Sequence, residues 1–161
     1  MGNNLIFGEK EIEFLKKLTR QNVEFMIVGL SAAALQGAPV VTQDVDLWFK
    51  DLGHPGIKKA LKNVGGIFVP SLGLNPPMLA GEAVKLFDIV THMYGLASFE
   101  EEKKHSLTVS LGTVKVSVLS LEQIIKSKKF LKRHKDKLVL PVLQDALITI
   151  RETDHKMKKK R

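Results

Sequence analysis

The stretch from residue 25 to residue 49 constrains the fold more than any other part of the chain. Residues 24–28 form a short apolar run that ends at a glycine, which is typical of a buried strand. Residues 31–36 are small or have high helix propensity, and a second glycine follows them. Residues 45–49 alternate the polar Asp46 with apolar neighbours. The segment therefore predicts a strand, a tight turn into a helix, and a second strand.

Two aspartates near the end of this segment indicate a cation site. Asp44 and Asp46 are two residues apart, so on a strand their side chains point to the same face. Carboxylates at this spacing repel each other unless a cation lies between them, and hard oxygen ligands favour Mg²⁺. Gly29 would permit close backbone approach to a phosphate, and Ser31 would cap the helix or hydrogen-bond a phosphate oxygen.

Each half of this pattern also has a simpler explanation. An Asp-x-Asp pair by itself is commonly a solvated strand face, and a Gly-x-Ser turn by itself is commonly a helix cap. Their order and spacing in one segment favour a joint site.

The remaining periodicity predicts an α+β fold. The expected elements are helices over residues 9–20 and 55–62, a strand ending at residues 68–69, a loop over 70–82, a strand over 84–90, a hairpin with arms 106–110 and 113–118, and two C-terminal helices of which the first begins after Ser120. We therefore expect a mixed β-sheet flanked by helices, and not a doubly wound parallel sheet.

Two later residues are further candidates for the site. Asp88 lies among apolar neighbours in the predicted strand 84–90, and it is either a third site acid or a lone exposed strand acid. Lys128 continues the apolar stripe of Leu121, Ile124 and Ile125 on the next helix. A lysine on an inward stripe must extend to solvent or meet an anion, and the alternative is a solvated helix face.

The positive charge of the chain is unevenly distributed. The net charge is +8 over 161 residues, which suits one domain and a polyanionic partner. Residues 126–137 and 155–161 carry the basic runs. We expect residues 1–152 to form the domain and residues 153–161 to be a disordered basic tail.

Composition excludes several classes of site. The chain has no cysteine, so disulfides, thiolate chemistry and cysteine zinc sites are excluded. The N-terminus lacks a secretory pattern, and the apolar stretches are far shorter than the ~20 residues that span a membrane. The sequence therefore predicts a cytoplasmic location without a membrane partner.

The motif at residues 29–46 resembles that of the DNA polymerase beta-like nucleotidyltransferase superfamily. The resemblance is strongest to the small branch that includes AbiEii-type toxins, and it extends over roughly residues 20–150. It rests on the spacing of Gly29, Ala32, Gly37, Pro39, Thr42, Asp44 and Asp46. A basic stretch with an Arg-x-Lys-Asp sequence, running from Lys128 to Asp136, is similar to the later motif of that branch.

The resemblance implies transfer of a nucleoside monophosphate from an NTP to a hydroxyl acceptor. The acceptor would be tRNA or another RNA, a protein or a small molecule, and a cognate antitoxin is an implied partner. Two Mg²⁺ ions would serve as cofactors. The implied metal-binding and catalytic residues are Asp44, Asp46 and Asp88, and the implied nucleotide- or phosphate-binding residues are Gly29, Ser31, Thr42, Lys128 and Arg133.

Three departures from the family pattern motivate an alternative. Leu30 replaces a second glycine, Val40 replaces an arginine, and Val139 replaces an acid. The alternative is an inactive nucleotidyltransferase-fold protein that acts as a nucleotide- or RNA-binding protein or as a toxin–antitoxin component.

Overall fold

The computed structural model describes residues 7–160 of the chain. Its elements are α1 (Glu9–Arg20), β1 (Phe25–Val28), α2 (Gly29–Leu35), β2 (Val45–Phe49), α3 (Pro55–Asn63), β3 (Ile67–Val69), β4 (Met78–Ala80), β5 (Phe87–Val90), α4 (Phe99–Lys103), β6 (Ser106–Leu111), β7 (Val114–Leu119), α5 (Leu121–Leu131) and α6 (His134–Lys159). The start of the predicted domain, residues 1–6, and Arg161 lie outside the described residues.

A five-stranded mixed sheet forms the centre of the molecule. Its strand order is β5-β2-β1-β7-β6. β1 pairs antiparallel with β2 and parallel with β7, while β2 pairs parallel with the edge strand β5. β6 and β7 form the predicted hairpin, and β3 and β4 form a separate two-stranded sheet. The predicted α+β fold with a mixed sheet is therefore confirmed.

The core surrounds the central strand β1, all four residues of which are buried. The apolar face of α1 packs into this core through Phe14, Leu15 and Leu18. The ring of Phe14 lies 5.5 Å from that of Phe87, which brings β5 into the same core. α2 packs against α5, and α5 packs against α6. The sheet, α2 and the helix pair α5–α6 thus hold one another at the end of the sheet where β1 and β2 carry the site.

The first C-terminal helix begins as the sequence predicts. The Ser120 hydroxyl accepts a hydrogen bond from the Gln123 backbone N–H at 3.4 Å and so caps α5. α5 buries Ile124, Ile125 and Ser127. This fixes the orientation of Lys128, which follows directly on the buried face.

Three segments differ from their predicted structure. The predicted strand 84–90 is shortened to β5, because residues 81–86 are turns before it. The short strand β4 lies inside the predicted loop 70–82, and α4 was not predicted at all. α4 has five residues, too few to show a helical period, and the Ser98 hydroxyl caps it.

The predicted disordered tail is helical as far as the structure describes it. α6 runs through Lys159, and residues 151–160 are all exposed. No glycine or proline follows Pro141, and lysine, methionine and glutamate propagate a helix at little cost once it has started. Within residues 7–160, none of the helices combines the length and apolar character that crossing a membrane requires.

Candidate active site

Two carboxylates lie side by side where β2 pairs with β5. Asp46 is the direct partner of Asp88 in this parallel pair and of Val28 in the antiparallel pair on its other side. Paired residues on neighbouring strands project to the same face of a sheet. Asp44 lies two residues before Asp46, just ahead of β2. All three acids line one cavity of about 380 Å³, so the structure brings the predicted acids together.

The electrostatics of the cavity reflect this crowding of negative charge. The pKa of Asp46 is raised to about 6, first by burial and then by the charge of Asp88, with a smaller contribution from Asp44. The positive charges of Lys128 and Lys135 act in the opposite direction. The pKa of Asp88 is also raised, first by burial and then by the charge of Asp44. The cavity therefore gathers carboxyl groups whose anionic forms a cation would stabilise.

Three basic side chains line the same cavity as the acids, and we call them its basic wall and the three acids its acidic wall. Lys128 comes from α5, Arg133 from the turn between α5 and α6, and Lys135 from the first turn of α6. Lys128 and Arg133 were predicted, whereas Lys135 was not. Lys135 belongs to the Arg-x-Lys-Asp sequence, but its position beside the site depends on how α6 leaves the turn. The cavity thus pairs an acidic wall with a basic one.

The Asp136 carboxylate fixes the positions of two residues of the basic wall, Lys128 and Arg133. Its carboxylate is fully buried and accepts hydrogen bonds from Lys128 Nζ at 3.2 Å and from Arg133 Nε at 2.7 Å. It also accepts the Arg133 backbone N–H at 3.2 Å, which caps the start of α6. The hydrogen bond from the Arg133 guanidinium is the largest cause of the lowered pKa of Asp136, and Lys128 adds to it. Burial acts in the opposite direction, and the resulting pKa is about 2. The Arg-x-Lys-Asp sequence was the available signal for this residue.

The turn from β1 into α2 brings the backbone against Asp46. Gly29 has φ = +69°, and a Cβ added to it would overlap the Asp46 carboxylate. Only glycine combines this backbone conformation with the space that the carboxylate occupies. Gly29 lines the cavity, as predicted, and so does its neighbour Leu30.

Ser31 supports the site from inside the protein. It is 1% exposed, donates a hydrogen bond to the Val28 carbonyl at 2.9 Å and accepts one from the Asp46 backbone N–H at 3.4 Å. It does not line the cavity, so the structure does not bring its hydroxyl to the position predicted for a phosphate contact. The hydroxyl is used instead to join the end of β1 to β2.

Thr42 organises the loop that presents Asp44. Its hydroxyl donates to the Asp44 carbonyl at 3.0 Å and accepts from the Asp44 backbone N–H at 3.3 Å. Thr42 lines the cavity, in keeping with its predicted place at the site. Its hydrogen bonds are made to the loop, and they hold the Asp44 backbone in a turn.

The carboxylates suit a hard divalent cation by their chemistry. They offer only oxygen donors, and the lack of a side chain at Gly29 leaves Asp46 open to the cavity. Among residues 7–160, however, no three acidic, histidine or cysteine side chains are close enough to enclose an ion by themselves. Mg²⁺ commonly completes its shell with waters and substrate phosphates, so an incomplete protein shell fits this ion.

Two solved structures share this fold. The crystal structure of ANT(2'')-Ia with adenylyl-2''-tobramycin matches with a TM-score of 0.56 and 15% identity, over 84% of this chain and 86% of that one. The solution structure of the antibiotic-resistance factor ANT(2'')-Ia matches with a TM-score of 0.54 and 13% identity, over 94% of each chain. The chain has a nucleotidyltransferase fold.

These neighbours place the resemblance at the level of fold. They are aminoglycoside nucleotidyltransferases, which belong to the DNA polymerase beta-like superfamily. The resemblance to the AbiEii-type branch stays a prediction. The chain matches no protein-family model, and no curated protein matches it by sequence.

Proposed function

We propose that this protein is a nucleotidyltransferase that moves a nucleoside monophosphate from an NTP to a hydroxyl acceptor. One observation carries the proposal. Asp44, Asp46 and Asp88 line a single cavity of about 380 Å³ together with three basic residues, on a nucleotidyltransferase fold. A triphosphate needs both walls, since its oxygens bind basic side chains directly and bind acidic ones through a cation.

The basic wall would bind and orient the triphosphate. The Lys128 side chain is 13% exposed and is held by Asp136, so its ammonium group is already aimed when the substrate arrives. Arg133 is also fixed by Asp136, while half of its side chain stays open to solvent. A preorganised charge loses little conformational entropy on binding, and it offsets the negative charge that develops on the leaving group.

The acidic wall would hold divalent metal. Asp44, Asp46 and Asp88 are the ligands we assign to two Mg²⁺ ions. When bound, the metal would neutralise phosphate charge and stabilise the entering and leaving oxygens. Gly29 would keep the approach to Asp46 open, because any side chain at this position would fill the space beside the carboxylate.

The reaction would be an in-line displacement at the α-phosphorus. The acceptor hydroxyl oxygen bonds to the α-phosphorus while the bond from that phosphorus to the bridging oxygen of the β-phosphate breaks. Pyrophosphate leaves, and the hydroxyl proton passes to a carboxylate. Asp88 suits this role because it is exposed on the edge strand β5, where an acceptor can reach it.

An RNA acceptor fits the charge of the chain better than a cationic one. The neighbour structure contains adenylylated tobramycin, and aminoglycosides carry several ammonium groups. This chain has a net charge of +8, and the basic residues of α5 and α6 flank the cavity. Such a surface attracts a polyanion and repels a polycation. We therefore propose RNA, including tRNA, as the first acceptor to test. We also propose that the protein is cytoplasmic, is related to AbiEii-type toxins and has a cognate antitoxin.

Label transfer tests the proposal. The protein is incubated with each α-labelled NTP and Mg²⁺, and with total RNA, total protein or tobramycin as the acceptor. We expect label in one acceptor pool, and we expect Asp46→Asn to lower transfer by about 100-fold or more, since even residues that only support metal ligands are worth about 10–100-fold.

Asp154→Asn provides the matched control. It makes the same change of charge on the exposed end of α6, outside the cavity, and should leave transfer unchanged. Transfer that survives intact in Asp46→Asn would exclude this metal site.

A second candidate function follows from Leu30. Its side chain lines the phosphate-facing cavity where many relatives have glycine, and it narrows the backbone approach. An inactive protein that binds nucleotide or RNA would tolerate this residue. Calorimetry separates the enzyme from a protein that binds only RNA, and the label-transfer assay separates it from a protein that binds NTP without turnover. NTP binding that requires Mg²⁺ and Asp46 supports the enzyme, whereas RNA binding that is indifferent to both supports the binding protein.

A further inference from the structure

A second hollow adjoins the cavity between the acidic and basic walls. It measures about 200 Å³ and shares four lining residues with that cavity, namely Gly29, Asp46, Lys128 and Arg133. The two cavities are therefore neighbours at the point where we assign the phosphates. A ligand whose phosphates occupy the larger cavity can extend its other end into the hollow.

The far wall of the hollow is apolar and aromatic. Val90 and Met93 line it from the end of β5 and the loop that follows, and Ile124 and Leu131 line it from α5. Tyr94 stands at its edge with 56% of its surface exposed. The fold leaves this ring uncovered beside a charged cavity, which is the arrangement of a stacking surface.

His92 adds a polar edge to the same wall. Its ring meets the Tyr94 ring edge-on, with centroids 5.0 Å apart and an interplanar angle of 90°. His92 is exposed and lines the hollow. Imidazole nitrogens can donate or accept a hydrogen bond, so this wall offers both a flat apolar face and a polar contact.

The loop that carries Tyr94 is fastened to α5. The buried Ser127 hydroxyl donates to the Tyr94 carbonyl at 2.7 Å. Gly95 has φ = +77°, and a Cβ there would lie 2.5 Å from that of Phe130, so the backbone packs directly on the helix. These contacts hold the Tyr94 backbone in place without a ligand, which reduces the entropy lost on binding.

Glu102 fastens the far end of the same loop. Its carboxylate is 3% exposed and accepts the Ala97 backbone N–H at 3.0 Å. It also accepts a hydrogen bond from the Gln123 side chain of α5 at 2.5 Å. Both ends of the loop are thus tied to α5, the helix that carries Lys128.

We propose that the hollow is the nucleobase subsite, with the base stacked on Tyr94 and its edge within reach of His92. This inference rests on the proposed function. It assigns the base of the NTP to the hollow and the phosphates to the larger cavity. A base is flat, with apolar faces and a polar rim, and matches this wall. The volume equals that of roughly seven water molecules, which suits a single ring system.

Comparing nucleotides with inorganic tripolyphosphate separates base binding from phosphate binding. Calorimetry in Mg²⁺ measures the affinity of wild-type protein for ATP, GTP, CTP, UTP and tripolyphosphate. Tyr94→Ala should weaken the tightest NTP by about 5- to 150-fold, the usual range for one lost base–aromatic stack. It should leave tripolyphosphate affinity unchanged.

Three further variants complete the test. Tyr94→Phe keeps the ring and should retain most of the NTP affinity. Lys128→Ala should weaken NTP and tripolyphosphate alike. Leu74→Ala removes a fully exposed side chain of the β3–β4 hairpin that lines neither cavity. It should change neither affinity.

The outcomes distinguish failure of this inference from failure of the proposed function. Equal loss of NTP and tripolyphosphate affinity in Tyr94→Ala, or no loss of either, overturns the base subsite. The nucleotidyltransferase proposal survives that result if NTP binding still requires Mg²⁺ and Asp46. If no NTP binds to the wild-type protein, both fall together.

Discussion

Replacing Asp136 by asparagine should destabilise the protein and disorder the basic wall of the cavity. Asparagine keeps the size of the side chain but removes its charge. In the wild type this buried carboxylate accepts hydrogen bonds from Lys128 and from both the side chain and backbone of Arg133. The substitution leaves two cations without their shared counter-ion, so their mutual repulsion is no longer offset.

The magnitude follows from the pKa of the carboxyl group. The pKa is lowered from 3.8 to about 2, and one pKa unit corresponds to about 1.4 kcal/mol, which gives about 2.5 kcal/mol as an upper value. Half of the Arg133 side chain is exposed, so solvent screens part of this interaction. We expect Asp136→Asn to lower the free energy of unfolding by about 1–2 kcal/mol at pH 7.

The pH dependence has a definite sign. Since the pKa of Asp136 is lower in the folded state, its contribution is fully present above the unfolded pKa of 3.8 and is lost as pH falls through about 2. The difference between wild type and Asp136→Asn should therefore be constant from pH 7 to pH 5. It should fall to about half of that value near pH 3.

Urea denaturation at a series of pH values measures this difference. Fluorescence of Trp48, the single tryptophan, reports unfolding because its side chain is buried. Asp145→Asn is the matched control, as an exposed acid on the same helix. It should change stability by less than about 0.5 kcal/mol. An Asp136→Asn effect no larger than the control, or one that persists undiminished at pH 3, would refute the reasoning.

Three other substitutions test backbone positions with a positive φ. Gly29→Ala should cost about 1–2 kcal/mol of stability because of its positive φ, and should also weaken Mg²⁺-dependent NTP binding because the new Cβ displaces the Asp46 carboxylate. Gly37→Ala has a similar cost in backbone strain, but its new Cβ has open space around it. The melting temperature should therefore fall, while the NTP affinity measured by calorimetry should stay the same. Lys132→Gly should raise the free energy of unfolding by about 0.5–1 kcal/mol, since Lys132 ends α5 with φ = +55°; a loss of stability in denaturation would contradict this.

The acidic wall was predictable because its signals are local. The spacing of Asp44 and Asp46 indicates a joint site without any tertiary information, and β2 has its predicted bounds, although Asp44 lies just ahead of the strand. Asp88 required one further step, the pairing of β5 with β2. The alternation of polar and apolar residues predicts the strand, but it does not identify the neighbouring strand or the register of their pairing.

The basic wall and the hollow were less predictable because they depend on tertiary geometry. Lys135 reaches the cavity only because the turn between α5 and α6 directs the start of α6 toward it. Ser31 looked like a phosphate contact, yet its hydroxyl is used within the protein. Tyr94 lies on a loop whose position is set by Ser127 and Glu102, residues 33 and 8 positions farther along the chain.

The place of β5 at the edge of the sheet also bears on how the protein folds. β1 and β2 are joined by residues 29–44, so their antiparallel pair closes a smaller loop than the pairing of β2 with β5. β5 reaches β2 only after a connection that includes α3, β3 and β4, and parallel pairing over such a length has a larger loop-closure entropy. We therefore expect Asp44 and Asp46 to be in position before Asp88 joins them. Along the folding pathway, the acidic wall would be completed by a late docking event at the rim of the sheet.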